Sequence, residues 1–287
     1  MPTALQRRAR TALSARMASL LPPDALHADG EHAVDLADAL VPTLTAADVA
    51  WVHGELARGA KGELRPTRAG AVPAHAAWSS TALVAGAFAS WRTDPGALRV
   101  AGLGGFTDVR LEERLLIPHG GGTPNLDVAL PGPGTFTGVE AKLTEHLAPQ
   151  PARAWAKAYR RPAMASELRD GWAAVFAALL EGRWTPRFLN AAQLVKHALS
   201  LQAAAADGTA TQLVLLYWEP TDGDDLPEVV THREEVAELL DRLGDDGAPR
   251  LHARTYAQLL DDWEPLRPQH VAALRQRTEV AAGPAAP

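Results

Sequence analysis

Apolar residues recur at spacings of three and four in two N-terminal stretches, QRRARTALSARMASLL and HAVDLADALVPTLTAADVAWVHGELARG. That period belongs to amphipathic helices, so residues 1–60 read as helical. Thr45, followed three residues later by Asp48, resembles a capping box opening the second helix of that region. The turn-rich GAKGELRPTRAGAVPA follows, and Ser79 or Ser80 would cap the next helix, STALVAGAFASWR. The pattern then changes period. VRLEERLLIP, PNLDVALPG and TFTGVEAKLTE are short, rich in Val, Leu, Ile and Thr, and bounded by Gly and Pro clusters, which are strand signals. The separators HGGGT and PGPG are turn chemistry and suggest antiparallel connections. Helical spacing returns over 151–206, in ARAWAKAYRR, SELRDGWAAVFAALLEG and FLNAAQLVKHALSLQAAA. TQLVLLYWEP is a nearly continuous apolar run that suits a central strand buried on both faces. Two more helices, EEVAELLDRL and TYAQLLDDWEPL, come next, and the tail VAAGPAAP reads as disordered.

This order predicts an α/β fold: a small mixed sheet, made of a three-strand meander plus a further strand, flanked by helices. The expected division is an N-terminal helical extension over 1–58, one main domain over 59–265 and a C-terminal segment over 266–287. A length of 287 residues suits one large domain or two smaller ones. An apolar fraction of 47% and a charged fraction of 22% exclude a wholly disordered chain. The absence of Cys excludes disulfides, Cys-based zinc sites, iron–sulfur clusters and a thiol nucleophile. No apolar run reaches the roughly 18 residues of a membrane span. Arg16 interrupts the apolar part of the N-terminus, which therefore reads as an amphipathic helix and not a signal peptide. The expectation is a soluble, cytoplasmic protein with no membrane partner.

The net charge of −6 is not that of a globally basic nucleic-acid binder, although a local basic groove can lie on an acidic protein. Lysine is scarce: the four are Lys61, Lys142, Lys157 and Lys196, against a background rich in Arg. Where Arg dominates, a Lys can mark a place that needs a compact point charge and not a planar fork.

Two strand segments bear on chemistry: NLDVAL, with Asp127, and GVEAKLTE, with Glu140 and Lys142. Side chains alternate across a strand, so Val139, Ala141 and Leu143 face one side and Glu140, Lys142 and Thr144 the other. Likewise Leu126, Val128 and Leu130 face the core, with Asp127 pointing away. The PGPG turn makes the two strands neighbours, and a register pairing Asp127 with Glu140 brings two carboxylates together beside Lys142. Close carboxylates need a cation; Mg²⁺ takes one or two of them plus waters and phosphate. Such a set suits metal-assisted hydrolysis of a phosphodiester. An isolated Glu-x-Lys on a strand is ordinarily a solvated pair. The added Asp on the adjacent strand, the preceding Pro124 and the rarity of Lys weigh against that reading here.

PNLDVAL…GVEAKLTEHL resembles the PD-(D/E)XK nuclease superfamily, in particular a branch of small bacterial restriction-endonuclease-like proteins. The matching elements are GELRP with Glu63, Ser79-Ser80, Glu113, GVEAKLTE with Glu145, and QLVKHAL with Gln193, Lys196 and His197, covering about residues 59–220. The chain departs from the pattern in reading Pro-Asn-Leu-Asp where Pro-Asp is usual, and in an Ala-rich helix after Ser79-Ser80. The resemblance implies a restriction-endonuclease-like core and a metal-dependent DNA endonuclease. It implies that Asp127 and Glu140 hold Mg²⁺ or Mn²⁺, with the Ala141 carbonyl as a further ligand, and that Lys142 positions the attacking water. Glu63 is the candidate extra acid; it reads equally as a surface-turn Glu. Glu113 reads more readily as a solvated strand residue, and Glu145 as a supporting or surface residue.

Gln193, Lys196 and His197 lie at helical spacings of three and four, so Gln193 shares a face with both. Gln193 and Lys196 would contact a phosphate or the metal-bound water, or else form the outer face of an amphipathic helix; His197 alone reads as a packed histidine. Arg153, Lys157, Arg160 and Arg161, interleaved with Trp155 and Tyr159, are the best candidates for contacts to a nucleic-acid backbone. Cutting both strands of a duplex would call for a homodimer. Two other classes stay open, a catalytically silent DNA- or protein-binding module on the same fold and a paired-carboxylate glycosidase. The chain has no His-Glu-x-x-His, P-loop or dinucleotide fingerprint.

Overall fold

The computed structural model describes residues 2–59, 62–150, 155–245 and 247–283. The helices are α1 (Ala4–Leu20), α2 (Leu36–Ala39), α3 (Ala46–Arg58), α4 (Ser80–Phe88), α5 (Pro162–Ser166), α6 (Asp170–Leu180), α7 (Ala191–Ala204), α8 (Pro227–Leu243), α9 (Tyr256–Trp263) and α10 (Pro268–Thr278). The strands are β1 (Arg110–Arg114), β2 (Asn125–Gly132), β3 (Thr135–Lys142), β4 (Ala210–Tyr217) and β5 (Arg250–Thr255). They form one mixed sheet in the order β1-β2-β3-β4-β5. The first three strands are the antiparallel meander; β4 and β5 add in parallel after helical crossovers. This is the α/β arrangement expected, with helices on both faces.

Each face carries its own core. On one, Leu5, Val52, Leu83 and Leu260 from α1, α3, α4 and α9 pack on Val128, Val139, Val214 and Leu216. On the other, Trp172, Phe176, Leu194 and Leu239 from α6, α7 and α8 pack on Ala129, Leu213 and Leu215. β4 is therefore buried on both sides, which is why its sequence is a continuous apolar run. The capping box at α3 is present: the Thr45 hydroxyl accepts from Asp48 N–H at 3.2 Å and Asp48 accepts from Thr45 N–H at 3.0 Å. Ser79 caps α4 by accepting from Ala82 N–H at 3.1 Å. The PGPG turn closes the β2–β3 hairpin at Gly132 opposite Thr135, with Gly134 at φ +68°, a conformation suited to glycine.

Residues 32–45, read as part of a helical stretch, hold only the four-residue α2, and four further features differ from the sequence reading. β5 is a fifth strand: RLHART buries only Leu251 and lies at the sheet edge, so it carries neither an apolar run nor strict alternation. α10 is a further helix, whose buried apolar residues Val271, Ala273 and Leu274 lie in a mainly polar sequence. The described part of ARAWAKAYRR is not α-helical; it is a 3₁₀ turn over Lys157–Arg160. The tail read as disordered is packed over residues 280–283, and residues 284–287 lie outside the described residues. Val280 and Ala282 are buried, and the Asp222 carboxylate accepts from the N–H groups of Ala282 (2.8 Å) and Gly283 (2.5 Å).

Candidate active site

The β2–β3 ladder pairs Val128 with Val139, and one step further along the same register Asp127 lies opposite Glu140. The ladder stops there. Trp218 N–H donates to the Lys142 carbonyl at 2.9 Å, so the backbone groups of Lys142 serve β4. Alternate residues of a strand turn to opposite neighbours, so those of Ala141 turn to β2. The Ala141 N–H donates to the Asp127 carboxylate at 2.7 Å, which takes the place of a backbone acceptor. Asp127 is thus held at the mouth of two separating strands, next to the Ala141 backbone.

Both acids are buried, Asp127 to 6% exposure and Glu140 to 1%, which corrects the expectation that they point away from the core. The side facing α7 is not solvent but a second core. The alternation of β2 also breaks at Asp127: Leu126 packs with the α7 side, Val128 and Leu130 with the other. The break lies opposite Glu112, a non-glycine residue at φ +51°, where the β1–β2 pairing skips from Leu111 to Glu113. Such a backbone conformation is uncommon for a Glu and is frequent at functional sites. It buries Glu112, which accepts from the Asn125 amide at 3.0 Å, while Glu113 stays partly exposed beside Arg110 at 3.6 Å. The acid nearest Asp127 on β1 is therefore Glu112.

Lys142 Nζ pairs with Glu140 Oε1, and His197 Nε2 from α7 lies 2.8 Å from Glu140 Oε2. Burial opposes the Lys142 charge, but Glu140, Asp127 and Glu145 outweigh it and hold the pKa above that of an ordinary lysine. The side chain keeps 17% exposure, so it reaches the surface of the site as a cation. Glu145 braces the turn that follows: it accepts from the Ser80 hydroxyl at 2.6 Å and from the N–H groups of Leu143 (2.8 Å) and Thr144 (3.0 Å). Of the two serines, Ser79 caps α4 and Ser80 ties it to the site. Tyr256, at the start of α9, is buried, and burial with the charges of Asp127 and Glu145 pushes its phenol pKa well above the usual value.

α7 divides its polar residues. Gln193 lines a narrow cleft together with Glu140 and Lys142, and His197, one turn on, backs Glu140. Lys196 instead lies over the rings of Trp155 (5.8 Å) and Tyr159 (5.5 Å). Those rings are anchored on each other and on Phe176, leaving Lys157, Arg160 and Arg161 exposed, with Arg161 donating to the His119 carbonyl at 3.1 Å. Arg153 lies outside the described residues. Glu63 lies in the turn after α3, its carbonyl accepting from Ala74 N–H at 3.0 Å. Among the described residues no cluster of three or more His, Asp or Glu is placed to hold a metal ion by itself.

The same narrow cleft is lined by His146 and His232, whose rings lie 4.6 Å apart. Burial first, and then the Lys142 charge, pushes His146 down to about 3. Burial first, and then His146 and Arg233, pushes His232 down to about 2. Both are neutral at working pH, so among the described residues that line this cleft Lys142 is the cation. Their unfolded forms bind protons near the ordinary 6.5, so stability from them is present above that pH and is lost as pH falls below it. His232→Leu should therefore flatten the decline of stability below pH ~6 by up to about 1.4 kcal/mol per pH unit. Urea unfolding at a series of pH values checks this; an unchanged slope would mean that His232 takes up no proton on unfolding.

Among the described residues no helix is long and apolar enough to cross a membrane. Comparison with curated proteins and with solved structures found no match. A family model does match: it covers residues 54–277, from the end of α3 to the end of α10, and thus holds every residue assembled above. On that match the chain belongs to the family described as Restriction Endonuclease associating with ARP, and the mixed sheet with its flanking helices is a restriction-endonuclease-like core.

Proposed function

We propose that the protein is a Mg²⁺-dependent endonuclease of the PD-(D/E)XK type that hydrolyses DNA phosphodiester bonds. The observation that carries this reading is Asp127 opposite Glu140 at the end of the β2–β3 ladder, with Lys142 paired to Glu140 two residues on. The donor set fits the ion. Mg²⁺ usually takes one or two protein carboxylates and completes its shell with waters and substrate phosphate, so a self-sufficient cage of three acids is not required. Asp127 and Glu140 would hold Mg²⁺, or Mn²⁺, with the Ala141 carbonyl as the third protein oxygen. The bound ion would supply charge for the phosphoryl oxygens and a water more acidic than bulk water.

The remaining steps fall to the chain's own groups. Lys142 presents its ammonium to the scissile phosphate and orients the attacking water. His197 holds the Glu140 carboxylate from behind, and Gln193 offers an amide to the same phosphate or water. Glu145 fixes the turn after Lys142. Lys157, Arg160 and Arg161, with Lys196 and Arg153, would contact the DNA backbone. Cleavage of both strands needs two such sites, which a homodimer would supply.

Incubating plasmid DNA with the protein in Mg²⁺ or in EDTA tests the activity: nicking or linearisation in Mg²⁺ alone is expected, and intact plasmid in both would count against it. Replacing Arg160 and Arg161 by Glu should weaken DNA binding across all sequences and reduce the slope of log affinity against log salt by about 1–2, at roughly 0.9 per lost phosphate contact. A salt titration of affinity reads that slope; an unchanged value would move the binding surface elsewhere.

A further inference from the structure

Beside the narrow cleft at Glu140 lies a wider one of about 450 Å³, walled by Trp155 and Trp184. Its volume falls in the range of about 300–1,000 Å³ typical of small-ligand sites. The two clefts share three lining residues, Gln150, Leu189 and Asn190, so the wider one adjoins the site of Glu140 and Lys142. Resting on the nuclease reading, we infer that the Trp155–Trp184 cleft receives a single unstacked nucleobase of the strand whose phosphate lies at Glu140 and Lys142.

The walls suit a flat, apolar-faced ligand with polar edges. Trp155 is partly exposed and is held in place by Tyr159 (5.1 Å between ring centres) and Phe176 (5.2 Å). Trp184 is buried with the Arg242 guanidinium over its ring, so Trp155 is the indole that would stack a base, which any base can do. At the junction of the clefts, Gln150 donates its amide N–H to the carbonyls of Glu145 (2.9 Å) and Ala148 (3.2 Å), which leaves its amide oxygen as the edge acceptor. The exposed Arg187 lines the cleft, and Lys196 lies over the Trp155 ring that forms its wall. They would meet the phosphates on either side of the seated base.

The cleft is also pre-shaped. The Glu235 carboxylate from α8 accepts from three successive backbone N–H groups, those of Arg187 (2.5 Å), Phe188 (2.8 Å) and Leu189 (2.7 Å). The Arg187 carbonyl in turn accepts from Gln150 N–H at 2.6 Å. These bonds tie the 187–189 segment to α8 and to Gln150, so little ordering of that wall is left for a ligand to impose.

The test compares affinity, in EDTA, for an oligo-dT strand and for a wholly abasic strand of equal length. Wild-type protein should prefer the strand with bases by about 5- to 140-fold, the affinity equivalent of stacking one base on an aromatic side chain. Trp155→Ala should bring the two strands close to parity. Ala192→Phe, which fills the cleft from the first turn of α7 and leaves the Trp155 side chain in place, should do the same. A duplex arm identifies the source of the base: an effect of both variants on duplex as well as on single strands means a base flipped out of the helix, and an effect on single strands alone means a single-stranded substrate. A preference for bases that survives both variants, with DNA binding and Mg²⁺-dependent hydrolysis intact, overturns the base cleft and leaves the nuclease reading standing. Binding of no strand and no hydrolysis overturns the nuclease reading and the cleft's role with it.

Discussion

Glu140→Gln should abolish DNA hydrolysis while leaving the fold in place, and Asp127→Asn should do the same. The amides are chosen because both acids are buried, and truncation to Ala would remove packing and leave the Lys142 ammonium without its acceptor at position 140. Glutamine keeps the shape and a donor–acceptor edge toward Lys142 and His197, yet removes the charge that a divalent cation requires. A metal's stabilisation of a developing phosphoryl charge is worth several kcal/mol. At about 4 kcal/mol its loss slows cleavage roughly 10³-fold. Cleavage rates at saturating Mg²⁺, beside urea unfolding curves of the same variants, give the result. Activity within a few-fold of wild type in either variant would remove that residue from the metal site.

Lys142→Arg should be nearly as damaging as Lys142→Ala, each lowering the single-turnover rate by about 10²-fold or more, the range of a lost acid–base group. The ammonium pairs with Glu140 and keeps only 17% exposure, so the space around it is measured for a compact donor. A guanidinium is longer, planar and effectively never deprotonated. Two of the three carboxylates that hold the proton on Lys142, Glu140 and Asp127, are the ones proposed to bind Mg²⁺, so the lysine is poised to change its basicity when they are neutralised, and an arginine is not. A near wild-type rate in the Arg variant would show that Lys142 contributes charge alone.

The juxtaposition of Asp127 and Glu140 was legible because three local signals agree: period-two alternation in both segments, a PGPG turn between them and the hairpin length it sets. Their burial was not legible. A polar residue on a strand reads as solvent-facing unless the cover of that face is known, and here α7 arrives from some sixty residues downstream. The contact of His197 with Glu140 has the same origin: its spacing from Gln193 marks the helix face, but not what that face meets. Glu112 and Glu113 are adjacent and chemically identical; only the positive φ at Glu112 decides which is buried, and residue type does not encode it. In ARAWAKAYRR the aromatic residues pack as anchors of a short turn, so tertiary packing overrides a helical spacing that rests on Ala and Arg. β5 is a polar edge strand, the kind that period and apolar runs mark least.

The most direct test of the account is a Mg²⁺ titration of plasmid cleavage by the wild-type protein and by Glu140→Gln under single-turnover conditions. The account predicts a wild-type rate that rises from zero in EDTA to a plateau with added Mg²⁺, and a Gln variant that stays folded and silent throughout. Cleavage that persists in EDTA, or in the Gln variant at a rate within a few-fold of wild type, would contradict it, as would a folded wild-type protein that leaves DNA intact at every Mg²⁺ concentration.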